Sequence, residues 1–158
     1  AKKYKKALKF VAQSRTWPEN LGVGKPYDVD ERLPDFVESL CYKAMSDTKK
    51  GIELEKNISL VPQKNGFKPM GSVNLLSAWL LRKNGENALA YQLMSSLAKQ
   101  EPGSKSTRWA EAVYSGNKNV AASVEKETAP EKTIDPYVTS FVDDDLALMI
   151  KLSKIFNF

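Results

Sequence analysis

Apolar residues recur at three- and four-residue steps along most of the chain, and the clearest instance flanks Asn84-Gly85. Before that turn, Leu75, Leu76, Trp79, Leu80 and Leu81 form a broad apolar stripe. After it, Ala90, Leu93, Met94 and Leu97 form a second, which Pro102 closes. This is helical spacing, so the pattern predicts a pair of helices over residues 72–100 with Gly85 supplying the turn. Small Ala90 allows the two helices to approach closely. A pair of this kind cannot bury both its faces alone, and so implies stacked neighbours, the logic of a repeat architecture.

The same reading extends in both directions. Residues 2–15 predict a helix with Tyr4, Ala7, Leu8 and Val11 on one face, ended by Pro18. A glycine-containing loop follows over 19–26. Asp30 or Asp35 is a candidate cap for a helix over residues 31–46, and Pro34 suits its first turn. Residues 47–72 read least clearly. Ile52, Leu54, Ile58, Leu60 and Val61 fit a short helix or an extended run, while Pro62, Gly66, Pro69 and Gly71 argue for an irregular loop over 47–72. Further on, Ser106 or Thr107 is placed to cap a helix carrying Trp109, Ala112, Val113 and Tyr114. Gly116-Asn117 then predicts a turn into a short helix over 118–127. A polar linker at 128–136 precedes a last helix, from about Asp143–Asp145 to Phe156. Its apolar residues lie almost all round, which predicts burial on more than one side.

Composition removes several chemistries. With no histidine in 158 residues, a Ser-His-Asp triad, a Cys-His pair and a His-ligated metal are excluded. A single cysteine excludes an internal disulfide, and the apolar helical pattern around Cys41 makes it a buried structural thiol. No apolar run is long enough to span a membrane. The start, AKKYKKALKF, lacks both an apolar signal core and an initiator Met, so the expectation is a processed protein or an excised fragment. Net charge is +5, with 24 Lys+Arg against 19 Asp+Glu, but arginine occurs only at 15, 32, 82 and 108. That is thin for a nucleic-acid reader, and a solvated lysine-rich surface explains it better. The lysine-rich first helix also invites a membrane-surface reading, but its apolar stripe is thin.

Three motifs tempt a sharper assignment. Gly22-Val23-Gly24-Lys25 suggests a phosphate loop, yet Glu19 stands where the first glycine belongs and Pro26 where the hydroxyl belongs. Asp143-Asp144-Asp145 lacks the spacing of a calcium loop and reads as favourable charge at a helix N-terminus. Trp17, Trp79 and Trp109, with Tyr27, Tyr42, Tyr91 and Tyr114, could line a groove for sugar or peptide. Aromatics on repeat helices more commonly pack between helices. No cofactor, metal or catalytic residue is assigned.

The turn glycines carry a resemblance. Gly85 and Gly116 stand 31 residues apart, and each is followed five residues later by alanine, Ala90 and Ala121. Tyr4, Ala7, Val11 and Pro18 make a third partial copy. This resembles the tetratricopeptide (TPR) repeat, in which a glycine turn precedes a small residue on the second helix and a proline ends the unit. Ala78 stands where that family usually has glycine, the large early aromatic is missing and the spacing is irregular. The order from Pro18-Glu19-Asn20-Leu21-Gly22 through Gly24-Lys25 to the Gly85 turn is also similar to the C-terminal helical region of large Bacteroidetes proteins. Those combine TPR-like repeats with β-rich modules of carbohydrate-active type, which implies a bacterial cell-envelope or periplasmic setting.

The expectation is therefore a single all-α domain over residues 1–158, a TPR-like right-handed stack of antiparallel helix pairs with an apolar C-terminal capping helix. It would form the C-terminal part of a longer protein, the first helix being the second half of a pair. Its function would be non-catalytic, a scaffold holding another polypeptide or upstream domains of its own parent chain. Trp17, Asn20, Lys25, Asn74, Lys83 and Asn84 are the candidate partner-binding residues. The competing readings are an accessory carbohydrate-binding domain, and weak nucleic-acid binding through the first helix. Carbohydrate binding requires exposed coplanar rings; nucleic-acid binding requires steep salt dependence.

Overall fold

The computed structural model describes residues 2–16, 29–64, 71–128 and 141–158, and among these every regular element is an α-helix. In order they are α1 (Lys2–Ser14), α2 (Arg32–Ala44), α3 (Thr48–Lys64), α4 (Gly71–Lys83), α5 (Asn87–Gln100), α6 (Lys105–Tyr114), α7 (Lys118–Thr128) and α8 (Phe141–Phe156). The all-α expectation holds. Where the sequence reads as one domain, the contacts divide the chain into two compact units, Ala1–Val61 and Pro62–Phe158.

Three helix pairs are joined by the same turn. After α2, α4 and α6 one residue takes left-handed backbone: Ser46 (φ +69°), Gly85 (φ +84°) and Gly116 (φ +76°). The next N–H folds back five residues, from Asp47 to the Tyr42 carbonyl (2.9 Å), Glu86 to Leu81 (2.8 Å) and Asn117 to Ala112 (2.7 Å). The left-handed residue itself donates to Lys43, Arg82 or Val113 at 3.0–3.1 Å. This paired pattern is the Schellman termination, and it satisfies carbonyls that a helix end leaves unpaired. The next helix begins two residues later. Five residues after each turn residue comes a small buried one, Gly51, Ala90 and Ala121.

α3 corrects the irregular loop expected over 47–72: residues 48–64 are helical, and α4 already begins at Gly71. The signal was hidden because α3 buries the wrong residue types. Gly51, Glu55, Ile58 and Ser59 face inward, whereas Ile52 is 55% exposed. Burial of Glu55 is compensated by Lys43 of α2, whose Nζ lies 2.6 Å from its carboxylate. Pro62 falls in the last turn, where only the end of the ladder loses a donor.

Within the first unit, α1 packs on α2. Arg15, just past the end of α1, meets three carboxylates of the α2 region: Glu31 (3.5 Å), Asp35 (2.5 Å) and Glu38 (2.8 Å). At the start of α2, Asp30 accepts from the Arg32 backbone N–H (3.0 Å) and pairs with the buried Arg32 guanidinium. Glu31, not Asp30 or Asp35, holds the N-cap position of α2 and makes no side-chain cap bond. Asp30 stands one residue earlier and holds only the first helical N–H, and Pro34 lies in the first turn.

Within the second unit α4 is the central helix, packed against α5, α6 and α8. It is buried on nearly every side from Gly71 to Leu81, and Ser72, Asn74 and Ser77 are buried with its leucines. The multi-sided burial expected of α8 is most complete in α4. α8 rests on α4 and α7 through Leu146, Met149, Ile150 and Leu152, and leaves Leu148 and Ile155 exposed. Trp109 of α6 is fully buried, with its indole N–H 3.4 Å from Glu125 of α7. Glu125 also pairs with Lys154 of α8 at 2.7 Å.

Two further caps differ from the sequence reading. Ser104 caps α6, accepting the Thr107 N–H at 3.1 Å. Ser106 instead accepts the Ser72 N–H at the start of α4 (2.6 Å), so it caps a neighbouring helix and not its own. α8 begins at Phe141, which puts Asp143–Asp145 inside the helix and not before it.

Candidate aromatic and cationic cleft

The C-terminal ends of α4, α6 and α8 come together around an open cleft of ≈ 590 Å³. The tight turn after α6 and left-handed Asn157 (φ +52°) after α8 stop these helices abruptly and expose their last side chains. Trp79, Arg82 and Lys83 come from α4, Tyr114 and Ser115 from the end of α6, and Asn157 and Phe158 from the end of α8.

Each cation in the cleft lies on a ring. The Arg82 guanidinium carbon is 5.1 Å from the Tyr114 ring centroid, and Lys83 Nζ is 5.0 Å from that of Trp79. Arg82 also reaches the Tyr114 carbonyl at 3.5 Å. Trp79 touches Phe158 with ring centroids 4.9 Å apart and planes inclined at 42°. Cation–π contact of this kind is worth about 0.5–1 kcal/mol at exposed sites, enough to restrict where the two charged groups point. Both cations also complement the partial negative charge at the end of α4.

A second groove of ≈ 310 Å³ adjoins the first, sharing Tyr114 and Ser115. It runs between α5 and α6 over Tyr91, Met94, Ala98 and Glu111. Tyr91 is 68% exposed although it stands on a helix otherwise packed through Ala90, Leu93, Met94 and Leu97.

The six partner-binding candidates are only partly assembled here. Lys83 lines the cleft, and Asn84 is exposed beside it at the helix end. Asn74 is buried within α4, out of reach of anything docking on the surface. Trp17, Asn20 and Lys25, with the glycine loop between them, lie outside the described residues, as does the 129–136 part of the linker. Trp79, Tyr91 and Tyr114 are among the aromatics the sequence offers for a groove, whereas Arg82 and Phe158 are not among its candidates. The one available signal was the Arg82-Lys83 pair in the last turn of an apolar helix.

Cys41 is buried, and burial first, the Glu38 carboxylate second, push its thiol up. It is protonated at neutral pH, as a structural thiol should be. Comparison with protein-family models, with curated protein sequences and with solved structures finds no match to this chain.

Proposed function

We propose that the chain is a TPR-like helical-repeat scaffold whose role is to hold a polypeptide, either a separate partner or a segment of its own parent protein. The observation that carries this reading is the recurrence of one helix-pair design. Turn residue and small buried residue fall at 46 and 51, 85 and 90, and 116 and 121, with the same folded-back hydrogen bonds each time. Repeated pairs of this kind suit stacking by nearest-neighbour packing, and such stacks supply extended grooves for docking. The groove between α5 and α6, continued by the cleft at the helix ends, is a surface of that type.

The carbohydrate reading fits less well, because the cleft rings are tilted and their faces carry Lys83 and Arg82. A sugar needs an open ring face to stack on.

The test is capture from bacterial lysate with the full chain as bait, at low and moderate salt, followed by binding measurements with each purified captured species. A polypeptide that binds saturably at moderate salt supports the scaffold. Recovery of polysaccharide alone, or of nucleic acid that washes off with salt, overturns it.

A further inference from the structure

Building on the scaffold reading, we infer that the cleft formed by Trp79, Arg82, Lys83, Tyr114 and Phe158 is an anchoring site for an acidic polypeptide segment. Its carboxylates meet Arg82 and Lys83, and an apolar side chain enters the adjoining α5–α6 groove.

Three observations converge on this occupant. First, Arg82 and Lys83 are adjacent in sequence, line one cleft, and form no ion pair among the described residues. The other arginines of the chain differ in this respect: Arg15, Arg32 and Arg108 each have a carboxylate. Second, no acidic side chain lines the cleft. The C-termini of α4, α6 and α8 each bring about half a negative charge, set against the two full positive charges of Arg82 and Lys83. The folded-back hydrogen bonds after α4 and α6 further occupy their last carbonyls. Third, both cations rest on rings, so part of the entropy of fixing them is already lost before a ligand arrives. A guanidinium over the Tyr114 ring, with one N–H at 3.5 Å from the Tyr114 carbonyl, keeps its other N–H donors for a carboxylate.

The adjoining groove decides in favour of a peptide over a small anion. Tyr91, Met94 and Ala98 give an apolar anchor residue a place beside the charged cleft, and Glu111 in the same groove keeps the carboxylates of the segment to the cleft side. A free anion would use only the cleft, and binding would then be insensitive to Tyr91.

The probe is a displayed library of random twelve-residue peptides, panned on the immobilised full chain. Enriched peptides are then titrated into 15N-labelled protein, with the indole signal of Trp79 assigned through Trp79→Phe. The expected result is enrichment of peptides with net negative charge and at least one large apolar residue. These shift the Trp79 indole, lose about tenfold or more in affinity on the double change Arg82→Gln and Lys83→Gln, and weaken on Tyr91→Ala. All three replaced side chains are at the surface, and circular dichroism checks that each variant is folded. Enrichment of neutral or basic peptides overturns the inference, as does acidic binding that the double variant leaves unchanged. In the latter case the scaffold reading survives, because a polypeptide still binds elsewhere. A single-stranded oligonucleotide that competes for the cleft with higher affinity than the peptides overturns the peptide assignment, and failure of every peptide to enrich overturns the cleft assignment, while lysate capture decides the scaffold reading.

Discussion

A Cβ on Gly51 would lie 2.9 Å from the carbonyl oxygen of Ser39, closer than side-chain carbons come to backbone oxygen. It would also lie 2.6 Å from Lys43 Cγ, on a side chain held by its ion pair with Glu55. Helices α2 and α3 therefore meet where one of them has no side chain at all.

Gly51→Ala should destabilise the first unit despite the better helix propensity of alanine. Overpacking costs about 1–3 kcal/mol, and propensity returns about 0.8–1.0 kcal/mol. The net loss should appear as a lower midpoint in urea unfolding. At the corresponding positions of the other pairs alanine is native, so Ala90→Gly should destabilise as well, by about 1 kcal/mol or more. An unchanged or raised midpoint for Gly51→Ala would mean that the two helices can separate without cost.

The three turns make a graded series. Ser46 holds left-handed backbone that costs an L-residue about 1–2 kcal/mol, while Gly85 and Gly116 hold it freely. Ser46→Gly should therefore stabilise by about 0.5–1 kcal/mol after the added freedom of the unfolded chain is deducted. Gly85→Ala and Gly116→Ala should each lose about 1 kcal/mol. Nothing stands within 4 Å of either added Cβ, so that loss is backbone strain alone. Differential scanning calorimetry of the three variants checks the order. Finding Ser46→Gly the least stable would show that the serine side chain matters more than its φ.

The sequence made α4 and α5 legible because their buried positions are occupied by leucine, methionine and alanine at regular steps, with a glycine in the turn. α3 was illegible for the opposite reason. Its inward face carries glycine, glutamate and serine beside Ile58, and an isoleucine points outward. Hydrophobic periodicity reports burial only when the residue buried is apolar. Its turn also uses Ser46, which carries none of the compositional signal that Gly85 and Gly116 carry. The cleft was half legible. Lys83 and Asn84 could be read as an exposed helix end, but the approach of Tyr114 and Phe158 depends on α6 and α8 packing against α4. No local pattern encodes that distance. Ser106 illustrates the same limit, since the hydroxyl suited to cap its own helix accepts the N–H of Ser72, 34 residues earlier at the start of α4.

Asp35 should make the fold respond to acid in an unusual sense. Burial raises its pKa, and the Arg15 guanidinium lowers it by less, because that cation is shared with Glu31 and Glu38, which together with Asp30 push it up. A carboxyl with a raised folded pKa binds its proton more tightly folded than unfolded. Its ionised form thus weakens the fold above that pKa, and protonation relieves the cost as pH falls toward the unfolded value of 3.8. Stability of the native chain minus that of Asp35→Asn should rise on going from about pH 7 toward about pH 4. A difference that falls over this range would mean that the pairing with Arg15 outweighs burial.

Asp30 and Arg32 carry the largest single-residue effect expected in the first unit. Both side chains are almost wholly buried, and the carboxylate takes Arg32 Nε at 2.9 Å, Nη2 at 2.5 Å and the backbone N–H at 3.0 Å. Asp30→Ala takes from the buried Arg32 guanidinium the carboxylate that accepts its Nε and Nη2, and from the first N–H of α2 its acceptor, which should cost about 3–5 kcal/mol. Replacing both partners by apolar residues of similar volume, Asp30→Leu with Arg32→Met, removes the stranded charge and should cost clearly less. Chemical unfolding of the two variants separates the explanations. If the double variant is the less stable one, the pair contributes net binding energy beyond compensating its own burial. If Asp30→Ala is the worse, the pair is held by the penalty of breaking it, and a buried arginine at the start of α2 makes this carboxylate indispensable to the fold.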